Sequence, residues 1–259
     1  MSNKIVPQKQ VDFKYVQPPD SPAVPRIPTS ILAVAGSGMG KTTAILHALL
    51  SPNMYRGCFS RIYVFSGSIL EDGRLLDKSW QPLLDYCTDE LGIDQTREQT
   101  FFPADPKALS KVLQEWETLS EHWKDKIIRG VMKNQVRPAC VICDDVSDQP
   151  SFAKHSSGIM SLAVRARHVF IGLVIYSVQK LRSIQSAVRV NVRNLWLWRA
   201  RNLLEYKAVL EEVGNFVTPE QFAEMYKLAT QGHDFLNIRL DQEANNMFFK
   251  AFETRLAIR

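Results

Sequence analysis

Residues 33 to 46 read AVAGSGMGKTTAIL: three glycines, a lysine and two threonines between an apolar run and a helix-forming one. Ala35, four further residues, then Gly40, Lys41 and Thr42 fit the phosphate-loop pattern, with alanine in place of its first glycine. Such a loop needs backbone amides turned inward at phosphate oxygens and a helix N-terminus facing the same charge. Gly36, Gly38 and Gly40 supply the backbone freedom. The expected cradle for a nucleoside triphosphate is therefore Gly36, Ser37, Gly38, Met39, Gly40, Lys41, Thr42 and Thr43. Lys41 would reach the β- and γ-phosphates, and the Thr42 hydroxyl would coordinate Mg2+.

A phosphate loop of this kind works with a carboxylate, expected on the neighbouring strand. ACVICDD supplies two. Asp144 is the expected magnesium ligand, direct or through water, and Asp145 the group that orients and deprotonates the attacking water. The alternative is that both acids only cap the loop that follows. Further on, FIGLVIYS is followed by Val178 and Gln179. Gln179 is placed to sense the γ-phosphate or its water, from the side opposite Asp145, unless it is simply a polar residue at a strand exit.

These groups need a scaffold, and the apolar pattern predicts one. Short apolar runs alternate with helical segments, as in a parallel sheet with crossover helices. Strands are expected at 30–35, 61–67, 99–104, 139–143, 170–177 and 194–200. Helices are expected at 41–50, from Pro106 to Gly130, from Ser156 to Arg167, and twice between Leu203 and Ala229. HDFLNIRL and MFFKAFE read as two strands around the turn-prone DQEANN. The fold class expected is α/β, a three-layer RecA/ASCE-like P-loop NTPase with a mainly parallel sheet. Residues 1–28, with five prolines from Pro18 to Pro28, read as an arm or tail, free or lying on a neighbouring subunit. The ATPase domain would occupy 29–259, with a helical and β-hairpin extension from about 203.

The chain has 259 residues, 45% of them apolar, enough for a real core, and a formal charge of +5 that suits a polyanionic partner. HVFIGLVIY, the longest apolar run, falls well short of the roughly 18 residues of a membrane span. The N-terminus lacks the apolar core of a secretory signal, and four cysteines make no disulfide framework, so an intracellular, reducing location is expected. Cys140 and Cys143 form a C-x-x-C, but within an apolar strand positions three apart face opposite sides. A zinc site is not expected there.

The P-loop, CDD, RARH…LVIYSVQK and VRVNVRNLWLW, in that order, resemble the FtsK/HerA superfamily of DNA-pumping ATPases, specifically the genome-packaging ATPases of poxviruses, giant viruses and their relatives. The resemblance spans Ser30 to Ala200. It implies an ATPase that assembles as a ring of five or six subunits and threads double-stranded DNA into a preformed capsid, with a portal or capsid-vertex protein as partner. Residue by residue it places ATP and Mg2+ binding on Gly40, Lys41 and Thr42, catalytic acids at Asp144 and Asp145, and a sensor at Gln179. It also implies an arginine offered to the neighbouring active site: Arg167, with Arg165 and Arg189 as rivals. The spacing from Arg167 to Gln179 is one residue longer than usual. The implied setting is the host cytoplasm or a virus factory, or the virion itself.

Lys180, Arg182, Arg189 and Arg193, together with Arg74 and Lys78, are the candidate DNA contacts, directed at phosphates because a motor must accept any sequence. The five tryptophans are expected in the core or at subunit contacts. No N-K-x-D base-recognition motif accompanies the P-loop, which argues against a GTPase. A helicase-like strand-separating motor and a nucleotide-gated assembly factor with little hydrolysis remain alternatives; the second acid speaks against the latter.

Overall fold

The computed structural model describes residues 13–71, 74–146 and 157–257. Its sheet runs in the order β11 (Thr254–Arg255), β10 (Phe248–Lys250), β9 (Leu236–Arg239), β8 (Asn194–Leu197), β1 (Thr29–Val34), β7 (Ile171–Val178), β6 (Ala139–Asp144), β2 (Arg61–Ser66) and β5 (Phe101–Pro103). From β8 to β5 every pairing is parallel, whereas β9, β10 and β11 continue the sheet antiparallel beyond β8. β6 and β7 are buried at every position, which requires cover on both faces.

Helices supply that cover: α1 (Lys41–Leu50), α2 (Gln81–Asp85), α3 (Pro106–Ile128), α4 (Ser157–Arg165), α5 (Ser186–Arg189), α6 (Leu203–Val213) and α7 (Pro219–Ala229). Steps toward β5 and steps toward β8 run in opposite directions. Right-handed crossovers therefore put α1 and α2 on one face and α3, α4 and α5 on the other. The contacts agree: α1 touches α2, and α4 touches both α3 and α5. The result is the three-layer α/β architecture expected.

Several boundaries depart from the apolar pattern. The acidic strand β6 is not beside β1, as expected above; β7 pairs with both and lies between them. The strand expected at 99–104 keeps only Phe101–Pro103, because Pro103 has no N–H and Asp105 already caps α3 by accepting from the Lys107 amide. The helix expected from Ser156 spans Ser157–Arg165 and tightens into a 3-10 turn over Ala166–His168; Ser156 lies outside the described residues. A small hairpin, β3 (Leu70–Glu71) and β4 (Arg74–Leu75), was not foreseen.

Residues 13–28 of the proline-rich segment lie on the domain's own body as a strap; residues 1–12 are outside the described part. Ala23, Val24 and Ile27 are buried. Prolines leave carbonyls without a ladder, and side chains satisfy them: Tyr55 Oη donates to the Pro25 carbonyl (2.8 Å), Asn237 Nδ2 to Ala23 (2.9 Å) and Arg239 Nη1 to Pro22 (2.9 Å). Lys14 and Val16 bond the backbone of Val136.

Cys140 and Cys143 are fully buried in β6, and burial pushes both thiols up. Trp80, Trp116, Trp196 and Trp198 are core residues, and Trp123 packs on Phe170. Among the described residues no helix is long and apolar enough to cross a membrane.

Candidate functional site

The chain leaves β1 still bonded to β7, the Ala35 amide donating to the Val178 carbonyl at 3.1 Å, and then turns sharply. Gly38 at φ 76° and Gly40 at φ 94° occupy left-handed backbone, which an L side chain would strain. α1 starts at Lys41 with no side-chain cap and no acid in its first turn, unlike α3, α6 and α7, which are capped by Asp105, Asn202 and Thr218. Its first amides are thus left to an anion. Thr42 and Thr43 open the helix, and Met39 packs partly against the core.

Lys41 is buried, and its Nζ donates to the Ala35 carbonyl at 2.9 Å and stands 3.8 Å from Asp145 Oδ1. Asp144 ends β6 in register with Ser177 of β7 on one side and Ser66 of β2 on the other. Burial pushes its carboxyl up to about 6; the Ser177 hydroxyl and Lys41 pull it back, while Asp145 and Asp77 push it further. Asp145 sits one step past the strand at φ 46°, its amide held by the Ser177 carbonyl at 3.0 Å. Its Oδ1 is buried without a hydrogen-bond partner among the described residues. An orphaned carboxylate oxygen beside a second buried carboxyl is a donor set that suits Mg2+ and a water. Thr42 and Asp144 are the residues that would hold the metal.

Gln179 follows β7 directly and shares a cavity of about 120 Å³ with Ala35 and Gly36 of the loop. β7 lies between β1 and β6, and that cavity is otherwise walled by Leu197 and the turn after β8, with neither Asp144 nor Asp145 among its lining residues.

Arg167 is elsewhere. It lies in the turn preceding β7, and the eight residues of that strand, at roughly 3.3 Å each, set it on the order of 25 Å from the loop. There its Nε reaches His168 Nε2 at 3.2 Å. Arg165 pairs with Glu117, and Arg189 with Glu212 at 3.3 Å and with the Ile184 carbonyl at 2.8 Å. Within one subunit none of the three completes this site. The candidate DNA contacts also divide. Arg74, Lys78, Lys180 and Arg182 follow the C-terminal ends of β2 and β7, on the loop's side, whereas Arg193 stands at the start of β8 on the opposite edge.

Three further groups near the loop and the acids belong to no sequence motif. Arg201, in the turn after β8, donates from Nη2 to the Ser37 carbonyl at 2.7 Å. Asp77 is close enough to act on Asp144, and a Cβ on Gly40 would stand 3.8 Å from that of His233. Only the basic WRARN after β8 offered any local signal.

No family model matches the sequence, and no curated protein matches it. Solved structures do. The chain is similar to B204, the DNA-packaging ATPase from Sulfolobus Turreted Icosahedral Virus, with a TM-score of 0.53 and 12% identity, over 89% of this chain and 98% of that one. It is also similar to EssC (ATPases 2 and 3) from Geobacillus thermodenitrificans, with a TM-score of 0.56 and 13% identity, over 88% of this chain and 40% of that one. At such identity the likeness is one of fold, and it is the three-layer P-loop NTPase fold expected above.

Proposed function

We propose that this chain is an ATP-hydrolysing motor that translocates double-stranded DNA, packaging it into a viral capsid as an oligomeric ring of five or six subunits, in the host cytoplasm or a virus factory and against a capsid or portal-vertex protein. The observation that carries the ATPase part is the meeting of Lys41 with Asp145 beside the buried Asp144, beneath a loop whose glycines leave amides open. In this reading the amides of residues 36–43 and the Lys41 ammonium bind the β- and γ-phosphates. Thr42 and Asp144 would hold Mg2+, which would supply positive charge against the phosphates. Asp145 orients a water in line with the γ-phosphorus and takes its proton as the bond to the ADP oxygen breaks. Gln179 bonds the same water or a γ-oxygen.

The DNA part rests on the fold shared with B204, described as a DNA-packaging ATPase, and on basic groups at the site's own edge of the sheet. Arg74, Lys78, Lys180 and Arg182 are exposed there. The trans arginine remains assigned to Arg167. ATP turnover with and without duplex DNA tests the reading: stimulation by duplex is expected. Indifference would favour a nucleotide-gated assembly factor, and strand separation with a preference for single strands a helicase.

A further inference from the structure

We propose that Arg201 is a positioning residue of the phosphate loop: by holding the Ser37 carbonyl it turns the Gly38 amide toward the bound triphosphate. The proposal rests on the reading of this loop as an ATP site. The Ser37–Gly38 peptide is trans, so the Gly38 N–H points away from the carbonyl of Ser37 and therefore away from the guanidinium that holds it. A peptide followed by a glycine at φ 76° has little of its own to fix its direction, because glycine adopts either sign of φ at similar cost. An external donor settles which way the amide faces.

The donor is rigidly based. The turn that carries Arg201 is fixed by the Trp198 amide on the Val34 carbonyl (3.1 Å) and by Tyr226 Oη, which donates to the Trp198 carbonyl (2.6 Å) and accepts from the Ala200 amide (2.7 Å). The guanidinium also needs Gly36 to be glycine. A Cβ there would stand 2.5 Å from Arg201 Nε and 2.8 Å from Cζ. The φ of Gly36 is not positive, so the demand at this position is for space and not for backbone freedom. Among the described residues no carboxylate forms an ion pair with Arg201, which leaves its charge available to the loop.

Arg201 is exposed, and the atoms nearest an alanine Cβ at Gly36 belong to the far end of that flexible side chain, so both Arg201→Ala and Gly36→Ala are expected to fold. The experiment measures affinity for a non-hydrolysable ATP analogue with Mg2+, saturated turnover, and thermal midpoint in Arg201→Ala, Arg201→Lys, Gly36→Ala and the Gly36→Ala/Arg201→Ala double variant. Each alanine variant should bind about tenfold more weakly, the scale of one hydrogen bond to a charged group, with the midpoint little changed, and Arg201→Ala should keep its saturated turnover. The double variant should be no weaker than either single one, because Gly36→Ala acts by displacing the same guanidinium. Arg201→Lys, which keeps a donor, should recover part of the affinity. Additive losses in the double variant, or unchanged affinity with reduced saturated turnover, would overturn the assignment while wild-type binding upheld the ATP site. Failure of the wild-type chain to take up the analogue would overturn both.

Discussion

Lys41 Nζ and Asp145 Oδ1 stand 3.8 Å apart although the strands that lead to them, β1 and β6, are not neighbours: the contact reaches across the end of β7. The cation that would grip the phosphates thus already faces the acid that would activate water.

The two residues should fail differently. Lys41→Ala should weaken ATP binding, because it removes the phosphate contact itself. Asp145→Asn should bind ATP nearly as well and lower turnover by roughly 10² to 10⁴. Equal loss of affinity in the two, measured by titration calorimetry, would show that the second acid is wrongly assigned.

Asp144 makes the site pH-sensitive. Its carboxyl is raised to about 6, against 3.8 for an ordinary aspartate, mainly by burial. The folded chain then holds this proton more tightly than the unfolded one. Stability from this group is therefore gained as pH falls through the window between about 6 and 4, and lost as pH rises through it. Magnesium needs the ionised form, so Mg2+-dependent turnover should decline below about pH 6 and be partly restored by excess Mg2+. Asp144→Asn should abolish that turnover while raising unfolding stability at neutral pH by about 1–3 kcal/mol, read from urea midpoints.

If Arg167 serves a neighbouring subunit, it complements in trans. Arg167→Ala and Lys41→Ala should each lower turnover by roughly 10³ or more. Mixed, they should regain activity, because Arg167→Ala subunits keep a working loop and Lys41→Ala subunits keep the arginine. A mixture no more active than its parts would remove Arg167 from the site.

Duplex binding should weaken steeply with salt and ignore sequence. The slope of log affinity against log salt should be about −0.9 for each phosphate contacted, and Lys78→Ala or Arg74→Ala should each shallow it by about one contact. Preference for one sequence over scrambled duplex at fixed salt would sink the motor reading.

Arg239 holds the strap. It is buried, bidentate to Asp241 at 2.9 Å and bonded to the Pro22 carbonyl, so Arg239→Ala removes three hydrogen bonds and leaves its two exposed acceptor residues to water. A loss of about 1–3 kcal/mol in urea unfolding is expected.

The start of α1 at Lys41 and the acids ending β6 were legible in the sequence because their signals are local: a glycine-rich loop between an apolar run and a helical one, and five consecutive apolar residues before Asp144. Strand order was not. Nothing in FIGLVIYS says that it lies between the loop strand and the acidic strand; only pairing with β1 and β6 decides that. The segment Gln81–Asp85 and the Leu70–Leu75 hairpin are too short to carry a period and are set by what they pack against. The role of Arg201 was not legible for another reason: its partner is a backbone carbonyl far away in sequence, and an arginine after a strand usually just faces solvent.

The strap has a consequence for how the polypeptide is made. Its hydrogen-bond partners Asn237 and Arg239 lie 214 and 217 positions downstream of Ala23 and Pro22. The ribosome therefore releases the strap more than 200 residues before its seat, and these two bonds cannot form until Asn237 and Arg239 have emerged. Chains stalled before Leu236 should keep residues 13–28 open to protease, whereas released chains should protect them.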